Sequence, residues 1–274
     1  LLQATLFTWN LNFSGIQIGA AYATMGFASV FMPALMGIVA DKWISAEKIL
    51  GASHLILSGL LIALAKATDF NSFYPLIFLV SMFFMPTIGL NRSISFGTLE
   101  SRQMDIIKVF PPIRVWGTVG FILAAWLVDF LEIGITPNQF YVSAGASFIL
   151  GVYAFTLPRV GIQESSEKKT FVESLGLNAF ALFKKKKIAI FLIFSMLLGC
   201  VLQISNMWGD GFLQDFRGEY PDSFVVKHSL VFISLSMVSE ALFILAIPFF
   251  LKKFGIKKVM LLSMLAWVLR FAFF

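Results

Sequence analysis

The chain has 274 residues, of which 58% are hydrophobic and 13% are charged, and its mean hydropathy is +0.86. A soluble domain carries about 25% charged residues, so this composition excludes an ordinary globular protein and predicts one that crosses a membrane several times. The net charge of +6 does not indicate nucleic-acid binding, because the basic residues gather in alternate loops between apolar stretches.

Apolar stretches near the length of about 20 residues that a spanning helix needs recur along the chain. In order they are 16–40, 49–65, 73–90, 113–131, 139–157, 188–207 and 229–251. Residues 1–9 resemble the last turns of an earlier span, and 259–274 resemble a span cut short, so we expect a fragment of a longer bundle. The fold class predicted is all-α, a polytopic transmembrane helix bundle.

The basic residues predict the orientation of these spans, because cytoplasmic loops are enriched in Lys and Arg. One set of alternate loops holds fifteen of them, and the other set holds three. The fifteen are Lys42, Lys48, Arg102, Lys108, Arg159, Lys168, Lys169, Lys184, Lys185, Lys186, Lys187, Lys252, Lys253, Lys257 and Lys258. The loops that carry these fifteen residues are therefore predicted to be cytoplasmic.

The longest hydrophilic segment, 158–187, predicts a cytoplasmic connector between a first group of spans in 1–157 and a second group in 188–274. Its part 171–183 has apolar residues at helical spacing and is followed by four lysines, which favours a helix lying at the membrane interface. The lysine run is typical of an anchor beside anionic lipid, with a regulatory role as the alternative.

Residue types that support catalysis are scarce. Cys200 is the single cysteine, and His54 and His228 are the two histidines, so we expect no metal site and no cofactor. The hydrophilic segments carry no Gly-rich phosphate loop and no Ser-His-Asp order. A transporter is therefore favoured over an enzyme. His54 is interpreted either as hydrogen-bonded to a neighbouring helix or as a proton relay, and His228 as solvated at the outer end of a span.

Arg114 opens a charge-free apolar stretch that continues to Leu127. An arginine at the bilayer centre costs about 2.5 to 3.5 kcal/mol, and such residues usually face a polar cavity. Thr118 and Phe121 follow at spacings that place all three side chains on one helical face. The alternative is that Arg114 reaches back to the cytoplasmic boundary.

Two further polar groups lie within predicted spans. Gln203 and Asn206 are three residues apart and offer carboxamides, which either bind a solute or join neighbouring helices. Glu240 lies among serines and is followed by a long apolar run. A carboxyl that loads and releases a proton is what a proton-driven carrier requires, so Glu240 is the candidate for polar contact with substrate or for proton coupling. A static helix–helix partner is its alternative.

Six motifs stand out along the chain: FMPALMGIVADKW (31–43), FPPIRVWGTVGF (110–121), LNAFALFK (177–184), FSMLLG (194–199), IPFFL (247–251) and AWVLRF (266–271). Together they resemble motifs of the bacterial nucleoside:proton symporters of the major facilitator superfamily. Within the first, Gly37, Asp41 and Lys42 resemble the superfamily's G-x-x-x-D-[RK] motif, which is associated with conformational change. Trp43 and Ile44 follow where glycine and basic residues often stand.

The resemblance implies a bundle of twelve helices in two six-helix halves that alternates access to a central site. On that count the chain begins at the end of the first helix and stops within the ninth, so the fold is incomplete and lacks an acidic residue expected on the tenth helix. It also implies a monomer in the bacterial inner membrane, whose partners are nucleosides, protons and the lipid bilayer.

Transferred position by position, the resemblance implies a nucleoside site on three helices. Its residues are Arg114, Thr118 and Phe121 on the fifth helix, Gln203 and Asn206 on the seventh, and Glu240 on the eighth. Met237 stands where the family typically has a glutamine, and Arg92 where a small polar residue is expected. Met237 motivates an alternative to nucleoside uptake, a proton-coupled carrier of the same fold for another polar solute such as a sugar or a modified nucleoside, and Arg92 is a second departure from the family.

Overall fold

The computed structural model describes residues 13–134, 136–159 and 182–272, and every regular element within these ranges is helical. A short 3-10 turn spans Phe216–Gly218. The helices are α1 (Gly15–Lys42), α2 (Ala46–Leu64), α3 (Phe70–Ser101), α4 (Ile106–Phe130), α5 (Asn138–Ala154), α6 (Lys186–Asp215), α7 (Phe224–Lys227) and α8 (Ser229–Ala272). The predicted all-α class is confirmed.

Six of the described helices are long and apolar enough to cross a membrane. They are α1, α2, α3, α4, α6 and α8, and the 17-residue α5 is at the lower end of the length that a span needs. Many of their large apolar side chains are exposed, as Trp116 is at 75% and Ile149 at 70%. A helix surface of this kind is suited to lipid rather than to water.

Several helices extend beyond the predicted apolar stretches. The helix α3 contains the predicted apolar stretch 73–90 and continues to Ser101, so it includes Arg92. Likewise α4 begins at Ile106 and contains both Pro111 and Pro112, rather than starting after them. Hydropathy indicates only the part of a helix that lies in lipid. Backbone hydrogen bonds do not depend on apolar side chains, so a helix can continue into polar sequence.

The residues fall into two compact units. The first contains residues up to Thr98 together with Val128–Ser229, and the second contains Leu99–Leu127 together with residues from Leu230 onward. The predicted halves 1–157 and 188–274 follow the family's topology and stay a prediction. Residues 160–181 lie outside the described residues, so the interfacial helix predicted within 171–183 stays a prediction as well.

In the first unit, α2 and α5 approach closely at two glycines. A Cβ atom on Gly51 would lie 2.8 Å from the Phe155 ring, and one on Gly151 would lie 3.0 Å from the Leu55 side chain. Small residues that let helix backbones meet are the usual packing device in membranes. These glycines therefore set the separation of α2 and α5.

His54 joins the same two helices. Its Nδ1 lies 3.0 Å from the hydroxyl of Ser147, and that hydroxyl donates to the His54 carbonyl oxygen, also at 3.0 Å. Because the single hydroxyl proton is used in that bond, Nδ1 must be the donor in the other. This geometry favours the interpretation of His54 as a link between helices over that of a proton relay.

In the second unit, α8 breaks at Gly255, where φ is 74° and ψ is 162°. A side chain would be strained at this positive φ, which glycine adopts freely. The break divides α8 into two helical segments. They correspond to the predicted spans 229–251 and 259–274, which four lysines separate in the sequence.

Candidate functional site

Two opposite charges meet between α4 and α8 in the second unit. The Arg114 Nη2 atom lies 3.5 Å from Glu240 Oε1, and each residue stands in an otherwise uncharged part of its helix. An isolated charge within a membrane is costly, and charges there usually pair with one another. The pairing satisfies both residues that the sequence singled out by their charge.

A hydrogen bond directs the Arg114 side chain along α4. Its Nη1 donates to Thr118 Oγ1 at 3.2 Å, and Thr118 is 4% exposed. Thr118 lies one turn further from the helix start at Ile106, so the guanidinium points away from the predicted cytoplasmic boundary. This direction favours the interpretation in which Arg114 faces a polar site over the one in which it reaches back to the interface.

The Arg114–Glu240 pair is partly exposed, and its two charged groups are not in close hydrogen-bond contact. The side chains are 43% and 41% exposed, and 3.5 Å is longer than the 2.7 to 2.9 Å typical of a charge-assisted hydrogen bond. Both groups therefore have hydrogen-bonding capacity left for a ligand. A pair held mainly by charge is also sensitive to protonation of the carboxylate, since that removes the attraction.

Two more side chains lie close along these helices. Phe121 is half-buried and stands three residues beyond Thr118 on α4, while Met237 is half-buried and stands three residues before Glu240 on α8. Positions three apart lie on one helical face. Phe121 and Met237 are therefore the apolar neighbours that their own helices place beside the charged pair.

Gln203 and Asn206 belong to α6 in the first unit. Gln203 is exposed, which leaves its amide open to a ligand. Asn206 follows one turn later, and its side chain lies outside the described part of the structure. That these two residues join Arg114 and Glu240 in one site stays a prediction.

The residues of the G-x-x-x-D-[RK] resemblance lie in the last turns of α1. Asp41 and Lys42 are exposed at the helix end, and a Cβ atom on Gly37 would meet nothing within 4 Å. They thus lie at the end of α1 that leads into α2. A conformational role for them stays a prediction.

One polar pair was missed in the sequence. The His228 Nδ1 atom lies 2.7 Å from Asp129 Oδ2, and the Asp129 side chain is only 6% exposed. The prediction that His228 is solvated is corrected, because its ring also lies near those of Phe130 and Phe224, with centroids 5.8 and 5.0 Å away. The signal available was an acidic residue at one span's outer end and a histidine at another's.

A second missed contact ties α4 to α8. The Trp126 Nε1 atom donates to Ser234 Oγ at 2.8 Å, and the Ser234 hydroxyl donates in turn to the Val231 carbonyl at 2.6 Å. Ser234 has no exposed surface. Nothing local in the sequence reveals a partner 108 residues away.

Comparisons with known proteins identify the family of the chain. Residues 2–274 match the family model described as nucleoside H+ symporter. The xanthosine permease and the nucleoside permease NupG of Escherichia coli are each 47% identical to the chain over 266 residues, which are 96% of the chain. The chain spans 64% of the length of each of these relatives.

Solved structures show the same fold. A crystal structure of a point mutant of the nucleoside transporter NupG superposes with a TM-score of 0.86 at 46% identity and covers 98% of this chain and 67% of its own. A second crystal structure of NupG gives a TM-score of 0.80. The major facilitator bundle predicted from the sequence is confirmed, and the chain belongs to the nucleoside H+ symporter family of multi-pass membrane transporters.

Proposed function

We propose that the full-length protein containing this chain imports nucleosides together with protons across the bacterial inner membrane. The observation that carries the proposal is the Arg114–Glu240 ion pair, 3.5 Å long and open to a ligand, in a member of the nucleoside H+ symporter family. Because the chain spans 64% of its relatives' length, this activity is proposed for the whole protein.

Glu240 is the proposed proton carrier. When its carboxylate is ionised, the charge attracts the guanidinium of Arg114. When a proton binds to a carboxylate oxygen, the attraction is lost, and the carboxyl group becomes a hydrogen-bond donor as well as an acceptor. Arg114, still held by Thr118 at 3.2 Å, is then free to donate to a substrate oxygen. Proton binding and nucleoside binding are thereby linked at one place.

A nucleoside is neutral and offers ribose hydroxyls beside an aromatic base. In the proposed site the hydroxyls bond to Glu240 and to the amides of Gln203 and Asn206, and the base lies against the Phe121 ring. A site built to bond hydroxyls rejects analogues that lack them, because its own polar groups would then be left unpaired.

The identity of the base is not decided by the comparisons, because the xanthosine permease and the nucleoside permease are equally similar to the chain at 47%. Met237, three residues before Glu240, presents a thioether that is a weak acceptor at best. We expect it to favour apolar contact with a substrate over a hydrogen bond. Competition of unlabelled nucleosides and sugars against labelled uridine separates nucleoside uptake from carriage of another polar solute.

The test is uptake of radiolabelled uridine by a nucleoside-transport-deficient bacterium that expresses the full-length protein. We expect a protonophore to abolish accumulation, and Glu240→Gln to reduce it at least tenfold, because the amide cannot carry a proton between the two sides. Glu219→Gln is the matched control, since Glu219 is exposed outside the predicted spans. Accumulation that neither the protonophore nor Glu240→Gln reduces would contradict the proposal.

A further inference from the structure

Four lysines surround the break in α8. Lys252 and Lys253 lie at the end of its first helical segment and Lys257 and Lys258 at the start of the second, with Gly255 between them. All four side chains are exposed. Because loops rich in lysine face the cytoplasm, this break lies at the predicted cytoplasmic surface of the membrane.

The charge of this turn is uncompensated. The sequence contains no Asp or Glu from residue 241 to residue 274. Within the described ranges, no carboxylate lies at ion-pair distance from any of the four ammonium groups. The turn therefore presents four positive charges within seven residues.

Two other predicted cytoplasmic turns are balanced instead. The turn between α1 and α2 holds two acidic and two basic residues, and so does the turn between α3 and α4. In the latter, Lys108 Nζ lies 3.6 Å from Asp105 Oδ2. The eight residues are Asp41, Lys42, Glu47, Lys48, Glu100, Arg102, Asp105 and Lys108. The α8 break thus differs from these turns by more than the general enrichment of lysine in cytoplasmic loops.

Exposed apolar side chains accompany the lysines. Phe249 is 61% exposed, Phe254 42% and Ile256 65%. The Lys253 ammonium group lies 5.6 Å from the centroid of the Phe249 ring and 5.4 Å from that of Phe254, within the range of a cation–π contact. Apolar surface and positive charge therefore meet at the same depth, where the acyl chains of a bilayer adjoin its headgroups.

We propose that residues 249–258 bind an anionic phospholipid of the cytoplasmic leaflet, represented by phosphatidylglycerol. The lysine ammonium groups pair with the headgroup phosphate, and Phe249, Phe254 and Ile256 contact the acyl chains. Clusters of basic residues at a membrane surface are attracted to anionic lipid. A soluble phosphate or an acidic protein segment would match the charge but would leave the three apolar side chains without a partner.

The test is native mass spectrometry of the full-length protein released from mixed micelles of phosphatidylglycerol and phosphatidylethanolamine. In the variant with all four lysines changed to glutamine, we expect about tenfold less retained phosphatidylglycerol and unchanged phosphatidylethanolamine. The matched control changes the same four lysines to arginine, which keeps the charge and should keep the lipid. Equal retention in the glutamine variant, or loss in the arginine control, would overturn the proposal.

A second measurement uses the unaltered protein and so does not depend on how the variants fold. A photoactivatable phosphatidylglycerol should label peptides that include residues 249–258, and labelling should fall as salt is raised, because salt screens the exposed charges. Inorganic phosphate at millimolar concentration should not compete. Labelling that is absent from this segment, or that phosphate abolishes, would show that the site is not one for lipid.

Discussion

At the scale of single residues, the proposed chemistry depends on how one guanidinium is shared. Arg114 uses Nη1 for Thr118 and Nη2 for Glu240, which only a planar group with several donors does at fixed geometry. Thr118 is buried at 4% exposure, so its hydroxyl is positioned to hold Arg114. Whether it also contacts substrate is a separate prediction.

Replacing Thr118 should therefore act through Arg114. We expect Thr118→Val to lower kcat/KM for uridine about tenfold, since a hydrogen bond from a charged donor contributes about 1.5 to 3 kcal/mol. Thr118→Ser keeps the hydroxyl and should retain most of the activity. Transport kinetics of the full-length protein measure both. Unchanged activity of the valine variant, which keeps the methyl group and loses only the hydroxyl, would contradict this role of Thr118.

A second substitution tests whether the planar geometry of the Arg114 guanidinium matters as well as its charge. Arg114→Lys keeps the positive charge but replaces five fixed donors by one compact ammonium group. We expect at least a tenfold loss of uridine uptake, with the protein still inserted and folded. Arg217→Lys, at an exposed position in the turn after α6, is the matched control and should be neutral. Full activity of Arg114→Lys would show that charge alone suffices.

At the scale of helices, glycine positions distinguish tight from loose packing. Gly51 and Gly59 both lie in α2, but only Gly51 has neighbours within 4 Å of an added Cβ atom, the Phe155 ring at 2.8 Å and the Gly151 carbonyl oxygen at 3.0 Å. The α2–α5 contact is thus tight at Gly51, whereas Gly59 faces open space.

Alanine substitution should separate these two glycines. Gly51→Ala overpacks the contact and should lower stability by about 1 to 3 kcal/mol. Gly59→Ala faces open space and should be neutral or stabilise by about 0.5 to 1 kcal/mol, because alanine favours the helix. Thermal unfolding of the full-length protein in detergent compares them. A Gly51→Ala protein as stable as Gly59→Ala would contradict the packing described.

The start of α3 should respond to pH. The Asp69 carboxylate accepts from the Ser72 amide at 3.0 Å and the Ser72 hydroxyl at 2.6 Å, and these bonds, the hydroxyl first, lower the pKa of Asp69 below its usual value of about 3.9. These bonds cap the start of α3. Because the pKa of Asp69 is lowered in the folded protein, the bonds are fully present above about pH 4 and are lost as the pH falls through that lowered pKa. Hydrogen exchange of the Ser72 amide should accelerate only in acid, beyond the intrinsic dependence of exchange on pH. In Asp69→Asn this additional acceleration should be absent.

The sequence predicted which segments are helical better than it predicted where each helix ends or which side chains contact one another. Apolar length revealed the spans, yet α3 runs to Ser101 because backbone bonds persist in polar sequence. Charge within apolar sequence identified Arg114 and Glu240 separately, but their pairing depends on how α4 and α8 pack. Asp129 and His228, 99 residues apart, were not paired in advance for the same reason, since no local rule joins them.

At the scale of the whole molecule, the proposed activity is that of a carrier that exploits a proton gradient. The chain belongs to the nucleoside H+ symporter family and spans 64% of the relatives' length, so the coupling must be tested on the full-length protein. A residue that carries the proton and a residue that only binds substrate are needed for different modes of transport. Binding and exchange of substrate need only hydrogen bonds, whereas accumulation against a gradient needs a group that gains and loses a proton.

The most direct measurement compares the two modes of transport in proteoliposomes that contain the full-length protein or its Glu240→Gln variant. One assay follows uridine accumulation driven by an imposed pH gradient, and the other follows exchange of labelled for unlabelled uridine at equal pH. We predict that the variant retains measurable exchange and loses gradient-driven accumulation. Accumulation by Glu240→Gln at the unaltered protein's rate would contradict the assignment of Glu240 as the proton carrier.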